Sequence, residues 1–255
     1  MVMSSEQKVY SYKDVDINLS KEVQSENPII VEGFPGIGLI GNIVSQYIVK
    51  ELNAEYIGNI NSMHFPPVAI LEGGIITSPA KIYECTGKDL VILQSNVFVD
   101  IPASYYVGKA IVEWAQEINM REMLSIAGIL TTTGENKVFG AATKKELLKR
   151  IEDNVKIFEV GTITDISGIV MAECSRKDLL GISLLGETSS PNPDPRAAVE
   201  VIKTINLLYG WDINVDKLIE EAERIELELQ KFSDQMDKAK RVEGIPQRKE
   251  FPMYG

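Results

Sequence analysis

Short apolar runs alternate with longer stretches of helical periodicity for about two hundred residues, and this alternation constrains the fold more than any other feature of the chain. Pro28-Ile29-Ile30-Val31-Glu32-Gly33 reads as a buried strand that leads into a helix from Ile37 to Leu52. Strands follow at 56–60, 68–77 and 81–85, the last pairing back through the Thr77-Ser78-Pro79 turn, with another buried strand at 90–94. The pattern then predicts a helix over 104–118, a strand over 124–131, a short strand over 138–142 and a helix over 144–153. It continues with strand 157–160, helix 166–173, strand 179–185 and helix 196–208. Such alternation points to an α/β protein with a doubly wound, mostly parallel sheet, covered by helices on both faces and carrying one antiparallel hairpin. No internal repeat or low-complexity tract interrupts it.

The character changes at Gly210-Trp211-Asp212. From there Val215, Leu218, Ala222, Ile225, Leu229, Phe232, Met236 and Ala239 recur at alternating spacings of three and four. That is the narrow seam of a coiled-coil or bundle helix roughly 40 Å long. Acids crowd its first half and Lys238, Lys240 and Arg241 its end, as the helix dipole prefers. A parallel dimer would set Glu221 of one chain against Glu226 of the other, so docking on the chain's own body or on a neighbouring subunit is expected. Leu218, Ile225, Leu229, Phe232 and Met236 would make that packing or oligomer contact. Gly244 and Pro246 stop the helix. The chain thus divides into an α/β/α domain (1–211), a long helix (212–244) and a flexible tail (245–255).

Charge narrows the function classes. With 26 basic and 37 acidic residues the net charge is −11, which disfavours nucleic acid and anionic membranes, because both demand clustered Lys and Arg. No apolar run approaches the ~20 residues that span a bilayer, and the first residues lack the plan of a signal peptide. Cys85 and Cys174 stand far apart with no neighbouring histidine, so neither a disulfide framework nor a metal site is expected. A cytoplasmic location is the default expectation.

Gly36-Ile37-Gly38-Leu39-Ile40-Gly41 is a literal G-x-G-x-x-G that follows a strand and opens a helix. In that setting helix amides and absent side chains can admit a pyrophosphate. The ribose-binding acid that should end the next strand is missing, its place held by Asn59, Asn61 and Ser62. The favoured reading is therefore that these glycines let the helix pack tightly on the sheet. Two further loops, 99–104 and 186–196, follow buried strands and run into helices, the second with Asp194 as cap and Pro195 in the first turn. In a doubly wound sheet such loops gather at the carboxyl ends of the strands, where ligands bind. Gly36, Gly38, Asn96, Asp100, Glu187 and Thr188 form the best candidate small-molecule pocket, although turn and capping duty explains most of them. No phosphate-binding Walker sequence exists, and no serine motif accompanies His64, the one histidine. Neither a catalytic constellation nor a cofactor is expected.

The chain closes on Met253-Tyr254-Gly255, a hydrophobic–tyrosine–any sequence with a terminal carboxylate. It follows a polar stretch carrying Pro246 and Pro252. An apolar side chain, an amphipathic ring and a negative charge make a compact plug for a receptor groove.

Taken together, Gly33-Phe34-Pro35-Gly36-Ile37-Gly38-Leu39-Ile40-Gly41 and Leu184-Leu185-Gly186-Glu187-Thr188, followed by Pro193-Asp194-Pro195-Arg196-Ala197-Ala198, resemble the two signatures of the proteasome assembly chaperone family. The likeness is to the branch of the second eukaryotic subunit and its archaeal relatives. It covers roughly residues 7–210. It implies a three-layer α/β/α fold with a nucleoside-phosphorylase-like sheet, no established catalysis, and homo-oligomers that engage proteasome α-subunits. It also implies that Met253, Tyr254 and Gly255 enter pockets between neighbouring subunits of the α-ring. The expectation is an assembly chaperone or activator-like factor that works without ATP. The alternative is a nucleotide-dependent enzyme, an ATP-grasp-like ligase or a phosphorylase type, using the strand-end loops.

Overall fold

The computed structural model describes residues 8–133, 135–220 and 222. Strands β1 (Lys8–Tyr12), β2 (Val15–Leu19) and β3 (Ile29–Gly33) lead through a single 3-10 turn (Ile37–Leu39) into α1 (Ile40–Glu51). Next come β4 (Glu55–Ser62), β5 (Ile70–Glu72), β6 (Ile75–Thr77), β7 (Ala80–Cys85), β8 (Leu90–Ser95) and α2 (Ile101–Glu117). The series continues with β9 (Glu122–Leu130), β10 (Val138–Ala142), α3 (Lys145–Ile151), β11 (Lys156–Ile157), α4 (Asp165–Arg176), β12 (Gly181–Thr188) and α5 (Pro195–Tyr209).

Ten strands form one sheet in the order β1-β2-β4-β7-β8-β3-β9-β12-β10-β11. The centre, β8-β3-β9-β12, is parallel, and α2 supplies a crossover from β8 to β9 long enough to return the chain in the same direction. The expectation of a mostly parallel sheet with one hairpin needs correction on its flanks. The pairs β1–β2, β2–β4, β4–β7, β7–β8 and β10–β12 are all antiparallel, so the sheet is mixed. Two of these pairs follow from short connections: β1 turns into β2 through Lys13-Asp14, with Asp14 at φ +63°, and β7 into β8 through the turn at Thr86–Lys88. The strand expected over 68–77 is instead a hairpin, β5–β6, outside the main sheet, since Gly73 and Gly74 both take positive φ and reverse the chain.

Strand alternation sorts the core into two layers. On one face Ile29, Val31, Ile92, Leu124, Ile126, Ile182 and Leu184 pack under α1, α3 and α5. On the other Ile17, Ile30, Ile60, Ile82, Val91, Leu93 and Met123 pack under α2 and α4, with Trp114 fully buried among them. The result is the expected α/β/α sandwich. The hairpin β1–β2 joins it because Val15, Ile17 and Leu19 all turn inward, leaving Asp16 exposed and Asn18 half-buried.

The segment after α5 packs on the same core. Trp211, Ile213, Leu218 and Ala222 are buried, and the Tyr47 hydroxyl of α1 donates to the carbonyl of Asn214 at 2.8 Å. Residues 216–220 are helical, so the start of the heptad, with Leu218, docks on the chain's own body. Ile225, Leu229, Phe232 and Met236 lie outside the described residues, as do Met253, Tyr254 and Gly255. Among the described residues no helix is long and apolar enough to cross a membrane.

Candidate functional site

The carboxyl ends of β8, β3, β9 and β12 bring the predicted loops to one end of the sheet. Backbone hydrogen bonds tie the glycine turn at β3 to the loop before α5. Gly38 sits at φ +64°, donates its amide hydrogen to the carbonyl of Pro191 at 3.3 Å, and accepts at its own carbonyl from the Asp194 amide at 2.9 Å. A Cβ on Gly41 would lie 2.3 Å from the Ile126 carbonyl oxygen, and one on Gly33 would lie 2.4 Å from that of Gly41. These two glycines let α1 rest directly on β3 and β9. A Cβ on Gly36 would meet nothing within 4 Å. The strand that follows α1, β4, is separated from β3 by β7 and β8. The adjacent βαβ unit of a dinucleotide fold, with its ribose-binding acid beside the glycine turn, is therefore not formed.

Thr188 joins the glycine turn. It is fully buried, its methyl faces Gly38, and its hydroxyl donates to the Ser190 carbonyl at 3.0 Å. Asp194 caps α5 by accepting from the Ala197 amide at 3.0 Å. Glu187, one residue earlier on the strand, points to the opposite face. It accepts from the hydroxyls of Thr131 and Thr133, each at 2.6 Å, and from the Lys137 amide at 3.1 Å. Burial would push its carboxyl up, but these hydrogen bonds outweigh it and hold the group below the usual carboxylate range. Glu187 thus pins the loop between β9 and β10.

Asn96 and Asp100 serve the other flank. The Asn96 amide oxygen accepts from Gln94 Nε2 at 2.6 Å, and its amide nitrogen donates to Glu72 of the β5–β6 hairpin at 3.3 Å. Asp100 caps α2, accepting from the Ala103 amide at 3.3 Å. The six predicted pocket residues therefore share an end of the sheet but not one cavity. A cavity of about 210 Å³ opens between the glycine turn, the end of β9 and the start of α4, and of the six only Gly36 lines it.

Sequence reasoning passed over the acid beneath that cavity. Glu32, in phase with Ile30 on β3, is fully buried under α4. It accepts from the Ser125 hydroxyl at 2.8 Å, the Ser167 hydroxyl at 2.9 Å and the Phe34 amide at 3.0 Å. Burial pushes its carboxyl above the usual range against the pull of those three donors. Register places Glu32 beside Ser125 and Ser125 beside Ser183, whose hydroxyl is buried without a hydrogen-bond partner. An acid inside an otherwise apolar Ile-Ile-Val-Glu-Gly run was the available signal. Its neighbours are hydroxyls and an amide, with neither a base nor a cation among them, so the cluster resembles a buried fastening more than a reaction centre.

The other reactive groups are elsewhere. His64 stacks on Tyr106 with ring centroids 4.8 Å apart, and its Nε2 lies 3.5 Å from the Asp14 carboxylate. Burial pushes the Cys174 thiol up to about 12, so it behaves as a small apolar side chain. Among the described residues no three His, Cys, Asp or Glu side chains gather as metal ligands would.

The PAC2 family profile matches residues 30–233, which takes in the whole parallel centre and its loops. The chain belongs to the PAC2 family. An uncharacterized Methanocaldococcus jannaschii protein is 33% identical over 233 residues, covering 91% of this chain and 95% of that relative. The structure of Pyrococcus furiosus PbaA, described as an archaeal homolog of a proteasome-assembly chaperone, superposes with a TM-score of 0.80 at 34% identity. The match covers 90% of this chain and 96% of PbaA. Pyrococcus furiosus PbaB, described as an archaeal proteasome activator, gives the same TM-score of 0.80 at 24% identity, over 87% of this chain and all of PbaB. At that identity PbaB speaks for the fold alone. Within this PAC2 chain the two segments first noticed in sequence are those that meet through Gly38, Pro191 and Asp194.

Proposed function

We propose that this PAC2-family protein is a proteasome assembly chaperone or activator-like factor that binds proteasome α-subunits without ATP, inserting Met253, Tyr254 and Gly255 between neighbouring subunits of the α-ring. The observation that carries the reading is kinship at 34% identity over 90% of the chain with a protein described as a homolog of a proteasome-assembly chaperone. The hydrophobic–tyrosine–any ending adds a means of docking. Met adapts to an irregular groove, Tyr presents a ring and a hydroxyl, and glycine leaves its carboxylate unobstructed. Self-association would place several such tails opposite several pockets and multiply a weak single contact by avidity.

The geometry of the glycine turn weighs against the nucleotide-dependent alternative. The Gly38 amide that would face a phosphate is already turned to Pro191, and Gly41 is taken up by helix–sheet contact. The test is capture of proteasome α-subunits by the intact chain and by a chain lacking residues 253–255, each with and without ATP. Capture by the intact chain alone, indifferent to ATP, is expected. Equal capture by the shortened chain would overturn the tail's role, and dependence on ATP would revive the alternative.

A further inference from the structure

Among the described residues Lys81 is the one buried cation. It projects from β7 with Asn59 of β4 and Gln94 of β8 as its register partners, so amides flank it on the same face of the sheet. An ammonium taken out of water destabilises a fold unless a counter-charge meets it. Here that charge comes from outside the main sheet. Glu72 of the β5–β6 hairpin sets Oε2 against Lys81 Nζ and accepts at Oε1 from the Asn96 side-chain amide at 3.3 Å. Each carboxylate oxygen thus has its own donor, an ammonium on one and an amide on the other.

The two sides of this contact are built differently. The donors are fixed. Asn96 accepts at its side-chain oxygen from Gln94 Nε2 at 2.6 Å and from Gln46 Nε2 of α1 at 3.4 Å, which leaves its amide nitrogen turned to Glu72. Its backbone amide is bonded to the Pro79 carbonyl at 2.8 Å, at the entry to β7. The acceptor is carried loosely. The hairpin has three paired positions, Ile70 with Thr77, Leu71 with Ile76 and Glu72 with Ile75, a length that is marginal in water. Leu71, Ile75 and Ile76 are each more than two-thirds exposed, so little apolar burial holds the hairpin down. A stiff pair of donors therefore faces a carboxylate on a weakly held arm.

We infer that Lys81 and Asn96 form a carboxylate-binding site that Glu72 fills as an internal stand-in, and that a carboxylate-bearing ligand displaces Glu72 and swings the β5–β6 hairpin aside. The stand-in shows what the site accepts: an acid that follows aliphatic residues on an extended segment, as in Val68-Ala69-Ile70-Leu71-Glu72. Asn59 and Gln94 bring no second negative charge to the same face. Opening alone strips Lys81 of its counter-charge, so the open state is stabilised only when another carboxylate enters. Opening and binding are then one coupled event, and the closed hairpin lowers the apparent affinity for any ligand by the fraction of chains it occupies.

The inference goes beyond the proposed function and does not rest on it, since no proteasome subunit enters the test. A blocked peptide copying residues 68–74 is titrated calorimetrically, to about 10 mM, into the full chain, a Glu72→Ala variant and a Glu72→Ala, Lys81→Met variant. Glutarate, titrated alongside, tells a free carboxylate from one presented on a peptide. The Glu72→Ala chain is expected to bind about tenfold more tightly than the intact one, because its site stands open. The added Lys81→Met abolishes binding, and a peptide with glutamine in place of its glutamate does not bind. Hydrogen exchange on the intact chain needs no substitution: the peptide is expected to speed exchange of the amides of residues 70–77 and to leave those of 80–85 unchanged. A folded Glu72→Ala chain that binds neither probe, or binds no better than the intact chain, would overturn the proposal. Binding that survives Lys81→Met or loss of the peptide's carboxylate, or exchange at 70–77 that ignores the peptide, would do so equally.

Discussion

Ser167 on α4 donates its hydroxyl hydrogen to Glu32 on β3 at 2.9 Å, joining residues 135 positions apart through a carboxylate no water reaches. The carboxyl is raised by burial, so its contribution to stability is fully present below the unfolded value and is lost as pH rises through the folded one. Between about pH 5 and about pH 8 the intact chain is therefore expected to lose stability relative to Glu32→Gln, which keeps the shape and never ionises. Glu32→Ala strands three donors and is expected to cost about 2–4 kcal/mol. Urea unfolding at the two pH values reads both effects, and parallel pH profiles for intact chain and Glu32→Gln would refute the first.

Arg150 Nη2 lies 2.8 Å from each oxygen of Glu122 and 3.3 Å from the Tyr209 hydroxyl. Glu122 is buried, whereas the Arg150 side chain is 41% exposed, so solvent screens part of the attraction. Arg150→Ala is expected to cost about 2 kcal/mol, less than a fully buried pair would, chiefly by leaving the Glu122 charge unpaired. Adding Glu122→Gln recovers part of that loss. A double-mutant cycle with additive effects would show that the pair is uncoupled.

The glycines of the β3 turn separate structure from ligand binding. Gly41→Ala pushes a methyl into the Ile126 carbonyl and is expected to cost about 3 kcal/mol or more. Gly38→Ala costs about 1–2 kcal/mol for its left-handed backbone. Gly36→Ala meets open space and leaves the melting temperature unchanged. Thermal unfolding of the three variants checks the order, and equal sensitivity at all three positions would contradict it.

At the other end of the chain, Tyr254→Ala is expected to weaken binding to α-subunits by about 2 kcal/mol per site, the range of an aromatic hot spot. One residue appended after Gly255 displaces the carboxylate and is expected to cost a similar amount. Titration of α-subunits with the variants decides the matter, and the idea fails if both bind as tightly as the intact chain.

The parallel centre was legible in the sequence because β3, β8, β9 and β12 are buried on both faces and read as continuous apolar runs. The flanks were harder to see. β1 is half solvated, with Lys8 and Ser11 in it, so its strand character comes from pairing with β2. The β5–β6 hairpin hid inside a run of Ile and Leu whose length suggested one strand, with Gly73-Gly74 as the overlooked sign. At the strand ends, the residue types were noticed but not their directions. Glu187 and Thr188 are neighbours in sequence and face apart, and Asp100 and Asp194 are spent on caps. Glu32 escaped notice because its partners, Ser125 and Ser167, are distant in the chain and carry no motif of their own.

Backbone contact between Gly41 and Ile126 also has a mechanical meaning. With no side chain interposed, no change of rotamer can open a gap between α1 and the sheet. The helix and the strands beneath it therefore move as one stiff member. Tyr47, farther along the same helix, grips Asn214 at the root of the carboxy-terminal segment. A load applied to the strand-end face is thus carried along α1 to that root with little taken up by local repacking, which makes α1 the strut of the molecule.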